Sequence, residues 1–277
     1  MKVFPCAKIN LGLNVVSRRP DGYHNLETAF LPIPLTDILS LLPAQHAAPN
    51  CSLDIDGQQL DCGVEDNLVV KAYNLVAQSH HLPSVKAELT KRIPTQAGLG
   101  GGSSDAAFMI RMLNERFALE MTKEDMRTMA SKLGADCAFF IDPVPSYATG
   151  IGEVLTPIPH LPEKLQGLFI AIVKPPVAVS TKEAFSKIQP KQPKVCCKDA
   201  VGLPIEMWKD LLSNDFEESV FPLYPQIAEV KAKLYQLGAL YAQMSGSGSS
   251  VFAFFKEQPA GLSAQFNDCF TFSARLH

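Results

Sequence analysis

Ile93-Pro94-Thr95-Gln96-Ala97-Gly98-Leu99-Gly100-Gly101-Gly102-Ser103-Ser104-Asp105-Ala106-Ala107 runs without a break into an apolar stretch that reads as a helix over residues 104–117. Glycines let the backbone take positive φ and come close to a ligand. A helix N-terminus leaves about four N–H groups unpaired and carries partial positive charge. A glycine-rich loop feeding a helix is therefore an anion site, and the usual anion is a phosphate. Two better-known phosphate loops do not fit. The Walker A pattern needs a Lys after the glycines, and none follows. The dinucleotide pattern G-x-G-x-x-G fails because Ser103 stands where the third glycine belongs. The protein-kinase triplets H-R-D and D-F-G are absent as well. The plain alternative is a flexible Gly/Ser-rich loop, although linkers rarely run without a break into a helix.

Working outward, Val85, Ala87 and Leu89 alternate with polar residues and predict a strand entering the loop. Residues 3–16 read as a strand interrupted by Lys8, Asn10 and Asn14, and residues 18–24 as a turn-rich loop. Residues 26–42 read as strand broken at Pro32 and Pro34, and residues 52–55 as another strand. Asp66 is expected to cap a helix with an apolar face of Leu68, Val69, Ala72, Leu75 and Val76. Thr122 with Asp125, and Ser180 with Glu183, have capping-box spacing at two further helix starts. Residues 167–173, 251–255 and 270–274 read as strands, and 214–219 and 225–237 as helices. The Lys/Pro-rich residues 187–198 predict an exposed, mobile loop. Prolines 157, 159 and 162 mark the best boundary, giving domains 1–156 and 157–277.

Composition narrows the function classes. The chain has 277 residues, 47% hydrophobic and 19% charged, which suits a globular protein with a sizeable core. A net charge of −3 with no basic block argues against a nucleic-acid partner. No apolar run approaches a membrane span, and the N-terminus lacks the apolar region of a secretory signal, so a cytoplasmic protein is expected. Seven cysteines without a C-x-x-C pair point to reduced thiols rather than a zinc site.

Two lone charges in apolar surroundings are candidates for chemistry: Lys8 in Ala7-Lys8-Ile9-Asn10-Leu11 and Asp136 in Gly134-Ala135-Asp136-Cys137-Ala138. Each has a plain alternative, an edge-strand lysine facing water and a helix cap. Beside a phosphate loop, the pair suits phosphoryl transfer. A carboxylate orients or deprotonates the accepting hydroxyl, and a cation holds charge on the moving group. Asp21-Gly22-Tyr23-His24 offers an aromatic platform on a turn, or simply a packed tyrosine. Gly246-Ser247-Gly248 is as good a strand connection as a ligand contact.

Together these segments resemble the GHMP kinase superfamily, through Pro94, the run from Gly98 to Ala107 and Met244-Ser245-Gly246-Ser247-Gly248. Ala7-Lys8-Ile9-Asn10-Leu11, Arg19-Pro20-Asp21-Gly22-Tyr23-His24, Gly134-Ala135-Asp136 and Gly150-Ile151-Gly152-Glu153 narrow the likeness. They resemble the branch that phosphorylates the tertiary 2-hydroxyl of 4-diphosphocytidyl-2-C-methyl-D-erythritol. Mevalonate- and homoserine-type kinases are the alternative within the superfamily. A catalytically silent nucleotide-binding protein is the alternative outside it.

The resemblance implies an α+β fold with an N-terminal domain like domain 2 of ribosomal protein S5 and a ferredoxin-like C-terminal domain. It implies ATP and Mg²⁺, with Asp136 as catalytic carboxylate and Lys8 as its cationic partner. Pro94, Gly98, Leu99, Gly100, Gly101, Gly102, Ser103 and Ser104 would hold the ATP phosphates, with Ser104 near the metal and Asn67 at the adenine. Asn10 would position the hydroxyl, and Thr181 would contact the substrate's phosphate or erythritol portion. Tyr23 and Phe185 would sandwich the cytosine while His24 bonds its edge. Residues 187–208 match no pattern.

Overall fold

The computed structural model describes residues 1–44, 50–58 and 63–277. In chain order the strands and helices are β1 (Lys2–Val3), β2 (Cys6–Arg18), β3 (His24–Thr36), β4 (Ile38–Pro43), β5 (Cys51–Gly57), α1 (Leu68–Ala77) and β6 (Val85–Lys91). Then come α2 (Gly101–Phe117), α3 (Lys123–Ser131), β7 (Ser146–Thr149), β8 (Val154–Pro157), α4 (Leu161–Leu165), β9 (Phe169–Lys174) and α5 (Thr181–Ser186). The remainder is α6 (Cys197–Gly202), α7 (Trp208–Leu211), α8 (Phe216–Val220), α9 (Pro225–Gln236), β10 (Tyr241–Met244), β11 (Val251–Phe255), α10 (Leu262–Gln265) and β12 (Phe270–Arg275). This is an α+β chain. Among the described residues no helix is long and apolar enough to cross a membrane.

The chain forms two compact units that interleave in sequence. One comprises Met1–Ala7, Leu35–Thr95 and Gly100–Pro143; the other comprises Lys8–Pro34, Gln96–Leu99 and Val144–His277.

In the first unit four strands pair in the order β1-β4-β6-β5, with β5 parallel to β6 and the others antiparallel. The alternation in β6 buries Val85, Ala87 and Leu89, as period-2 patterning requires. α1 buries Val69, Val70, Ala72, Tyr73 and Val76. Its cap is Asn67 rather than Asp66: Asp66 closes a single 3-10 turn, while Asn67 is extended and its Oδ1 accepts the Val69 N–H at 2.9 Å. α3 opens with the expected capping box of Thr122 and Asp125.

α2 begins three residues before the expected start. Gly100 caps it in the left-handed conformation (φ 71°), so Gly101, Gly102 and Ser103 form its first turn. A Cβ on Gly101 would lie 2.9 Å from Ile93 Cγ2, so the helix can start there only because a glycine does.

The second unit holds two four-stranded sheets, β2-β3-β7-β8 and β10-β11-β9-β12. β11 is buried along its whole length. Its core joins Leu13 and Val15 of β2 to Ala171 and Val173 of β9, Phe216 and Val220 of α8, and Ile227 and Leu234 of α9.

One expectation is corrected here and another is refined. β3 runs through Pro32 and Pro34 and ends only at Thr36. Its ladder with β7 stops at Phe30, so the prolines lie where a missing N–H leaves no β7 acceptor unpaired. Residues 187–196 are the expected mostly exposed, irregular segment, but the segment is tied down at two points and Cys197 turns inward to open α6. Lys191 N–H donates to Val15 C=O at 3.0 Å, and Cys197 is buried with its N–H on Glu27 Oε1 at 3.0 Å. A thiol fills the space left by Gly12, whose Cβ would lie 2.6 Å from Cys197 Sγ.

Candidate active site

In the first unit Gly100 leads directly into the N-terminus of α2. The helix dipole and the N–H groups of its first turn make this end a receptor for negative charge. Ser104 is fully buried in that turn, and its Oγ has no hydrogen-bond partner among the described residues. A buried hydroxyl left unpaired is destabilising, which suits a group whose partner arrives with a ligand. Gly102 is exposed and its missing Cβ would meet only Leu68 Cδ1, at 3.6 Å.

Asp136 lies in the single 3-10 turn Ala135–Cys137, half-buried, and Gly134 rather than Asp136 is its N-terminal cap. Beside it Cys137 is buried, and burial pushes its thiol up to about 11 despite a hydrogen bond with Ser103. It is therefore a packing thiol rather than a nucleophile. Asn67 commits its Oδ1 to capping α1, so its Nδ2 is the end left to donate to a ligand.

Three ionisable side chains are sealed together in this unit. Lys91 Nζ pairs with Asp37 Oδ2 and, at 2.8 Å, with Asp105 Oδ2; all three side chains are at most 3% exposed. Burial works against the Lys91 ammonium, but the two carboxylates outweigh it and its pKa is held above the ordinary value. Burial dominates at Asp105, whose carboxyl is pushed up to about 8.

In the second unit Lys8 is 3% exposed on β2. Its Nζ donates to Asn10 Oδ1 at 2.7 Å and to Gly98 C=O at 3.1 Å, and lies 5.2 Å from the Phe30 ring centroid. Asn10 is fixed in turn: its Nδ2 donates to Thr28 Oγ1 at 3.1 Å. The water-facing alternative for Lys8 does not hold, because burying an ammonium requires such partners. The second glycine loop closes on the first. Ser245 Oγ donates to Gly98 C=O at 2.9 Å, and Ser250 N–H to Ala97 C=O at 3.2 Å. Asn214 Nδ2 holds this second loop through the carbonyls of Met244 and Gly246, both at 2.8 Å.

The turn after β2 presents Tyr23 at 61% exposure. His24 stacks on Phe185, with centroids 4.9 Å apart and planes 19° from parallel, and Phe185 meets Phe216 edge-on at 4.7 Å. Thr181 opens α5 with its Oγ1 3.3 Å from Ser247 Oγ. The sequence reading thus finds Lys8 with Asn10 and Gly98, His24 with Phe185, and Thr181 with the second loop brought together. Ser245 and Asn214 lie in segments that carry the family resemblance, but sequence reading assigned neither of them a role; their contacts with the two loops come only from the structure.

The model of the GHMP kinases N terminal domain matches residues 67–147, and that of the GHMP kinases C terminal domain matches residues 202–270. The chain belongs to the GHMP kinase family.

The 4-diphosphocytidyl-2-C-methyl-D-erythritol kinase of Bacteroides thetaiotaomicron is 50% identical over 258 residues, 93% of each chain. A crystal structure of 4-(cytidine 5'-diphospho)-2C-methyl-D-erythritol kinase superposes with a TM-score of 0.82 at 30% identity, covering 99% of this chain and 98% of that one. The mevalonate kinase of Methanococcus jannaschii reaches 0.74 at 14% identity, covering 100% and 98%, a likeness of fold alone. GHMP kinases take their phosphoryl group from ATP.

Proposed function

We propose that this GHMP kinase transfers the γ-phosphoryl group of ATP to the 2-hydroxyl of 4-diphosphocytidyl-2-C-methyl-D-erythritol. The products are the 2-phosphate and ADP, on the non-mevalonate route to isopentenyl diphosphate. The shared name of its full-length relatives supplies the substrate. The observation that carries the chemistry is Lys8, an ammonium buried on β2 and fastened to the glycine loop at Gly98 C=O.

A tertiary alcohol is a crowded nucleophile with a high pKa, so positioning and charge stabilisation must do most of the work. Asp136 takes the hydroxyl proton as the new O–P bond forms and the bond from γ-phosphorus to the bridging oxygen breaks. Lys8 holds charge on the transferring group. Asn10 positions the acceptor through Lys8, since both ends of its amide are engaged. The dipole and N–H groups at the start of α2, with Pro94 and Gly98 to Ser104, hold the phosphates of ATP, and Asn67 Nδ2 reaches the adenine. The cytosine lies between Tyr23 and Phe185. To admit it, His24 leaves the face of Phe185 and turns its ring nitrogen to the base edge. Thr181 meets the phosphate or erythritol portion.

The residues suit Mg²⁺ as well. The orphaned Ser104 hydroxyl would be one oxygen ligand, and among the described residues no cluster of three His, Cys, Asp or Glu forms a cage. That is the pattern of an ion held mainly by nucleotide phosphates and water. When bound, Mg²⁺ neutralises charge on the phosphates. The cytoplasm is the compartment we propose, because the six described cysteines are free thiols.

The test is a panel of acceptors with ATP, run on the wild type and Asp136→Asn. Only the cytidine-diphosphate acceptor should turn over, and the variant should lose roughly a hundredfold or more in kcat. Comparable kcat/KM for mevalonate or homoserine would sink the substrate, and a variant within tenfold of wild type would sink the role of Asp136.

A further inference from the structure

The buried Asp37–Lys91–Asp105 bridge lies outside the machinery just described, yet it grips the glycine loop at both ends. On the entry side Asp37 Oδ1 accepts the N–H groups of Arg92 at 2.5 Å and Ile93 at 2.8 Å. Asp37 is itself anchored, its N–H donating to Pro5 C=O at 2.9 Å. On the exit side Lys91, the last residue of β6, holds Asp105 near the start of α2 at 2.8 Å. The two grips share one ammonium, because Lys91 Nζ also pairs with Asp37 Oδ2. The first residue of α2 rests on this bridge: a Cβ on Gly101 would lie 3.3 Å from Lys91 Nζ and 2.9 Å from Ile93 Cγ2.

Stability alone is a weak reason for such a bridge. Buried charges lose their hydration, and a well-packed apolar trio of similar volume is often equally or more stabilising. What an apolar trio lacks is direction. Charge-assisted hydrogen bonds are short and oriented, so they set where a helix starts and which way its first N–H groups point.

We propose that Asp105 is a positioning residue for the nucleotide: through Lys91 and Asp37 it clamps the two ends of the glycine loop and aims the start of α2 at the phosphates of ATP. This rests on the reading that the glycine loop is the phosphate site. Asp105 itself touches no ligand, and its effect reaches ATP through backbone geometry.

The full-length enzyme tests this with Asp105→Ser, too short to reach Lys91, and Asp105→Asn, whose amide oxygen still accepts from it. Thermal melting and the separate KM values for ATP and acceptor are the readouts. The Ser variant should fold and raise KM for ATP about tenfold, the equivalent of one lost oriented contact, with KM for the acceptor within about twofold. The Asn variant should stay within about threefold of wild type for both.

A Ser variant with unchanged KM for ATP overturns the proposal, and so does one that raises both KM values in proportion. Failure of the Ser variant to fold overturns it too, since Asp105 would then serve stability. An Asn variant as damaged as Ser overturns it as well, because the oriented acceptor would then count for nothing. Gly102→Asp separates this failure from that of the underlying reading, because the site has room for a side chain and the added carboxylate faces the phosphates. If it leaves KM for ATP unchanged, the loop is not the phosphate site. If it raises KM while Asp105→Ser does not, only the clamp is wrong.

Discussion

Gly98→Ala is the substitution whose consequence can be worked out most fully. Gly98 has φ +71°, where an alanine is strained by about 1 kcal/mol. Its Cβ would lie 1.9 Å from Ser245 C=O, and Cβ contacts below 3.0 Å essentially do not occur, so the two backbones must part by at least 1.1 Å. The atom it meets is backbone and cannot rotate away. Overpacking of this kind adds roughly 1–3 kcal/mol, for a total loss of roughly 2–4 kcal/mol. Gly98 C=O also accepts from Lys8 Nζ and Ser245 Oγ, and the neighbouring Leu99 C=O accepts the Lys8 N–H at 2.9 Å. The displacement therefore reaches the ammonium that we propose holds charge on the transferring group, and an ångström of misplacement can lower turnover about a hundredfold.

Gly261→Ala is the matched control: its φ is +59° with nothing within 4 Å, so it carries the strain without the clash. Urea melts and steady-state kinetics on both variants give the comparison. Gly261→Ala should lose about 1 kcal/mol and keep its kcat. A Gly98→Ala enzyme with kcat within threefold of wild type, or no less stable than the control, would refute the reasoning.

Tyr23→Ala should raise KM for the cytidine substrate by an amount corresponding to roughly 1–3 kcal/mol of lost stacking and leave KM for ATP intact; equal losses for both ligands would remove Tyr23 from the cytosine platform. Burial raises the Asp215 carboxyl above its ordinary 3.8, and Lys191 at 3.7 Å only partly offsets this. The folded chain therefore binds more protons than the unfolded one just above pH 4, and the contribution of Asp215 to stability declines as pH rises through that window. Asp215→Asn should gain on the wild type in urea melts between about pH 4 and 6, and a difference that does not move with pH would contradict the shift. Gly102→Ala should hold or slightly raise stability, by up to about 1 kcal/mol, while weakening ATP binding in calorimetry; unchanged affinity would free Gly102 of any ligand duty.

Patterns along the chain made much of the fold legible. Val85, Ala87 and Leu89 announced β6, and Thr122 with Asp125 announced α3, because period and cap are local quantities. Pro32 and Pro34 misled because their tolerance depends on where the pairing with β7 ends, which no local window contains. Residues 187–198 were legible in part: their lysines and Pro190 do face solvent, but Cys197 is drawn inside by Glu27 and by the space at Gly12, far away in the chain. Among the candidate site residues, Lys8 and Asp136 stood out as charges in apolar runs. Asn214 and Ser245 act by holding carbonyls of a distant loop, and an ordinary polar residue gives no warning of that.

The glycine run shows where such reading reaches its limit. In sequence Gly98, Gly100, Gly101 and Gly102 are one motif with one meaning. In the structure they answer to different demands. Gly98 admits Ser245 C=O, Gly100 supplies the left-handed cap, and Gly101 lets α2 settle on Ile93 and Lys91. Each of these would be required by the chain's own packing even if no phosphate ever bound. Gly102 is different: it is helical, exposed and has room for a side chain. A glycine in a helix is unfavourable relative to alanine. With no internal contact to explain it, the missing side chain at Gly102 is the part of the motif that points to the nucleotide, and the other three point to the scaffold that holds it in place.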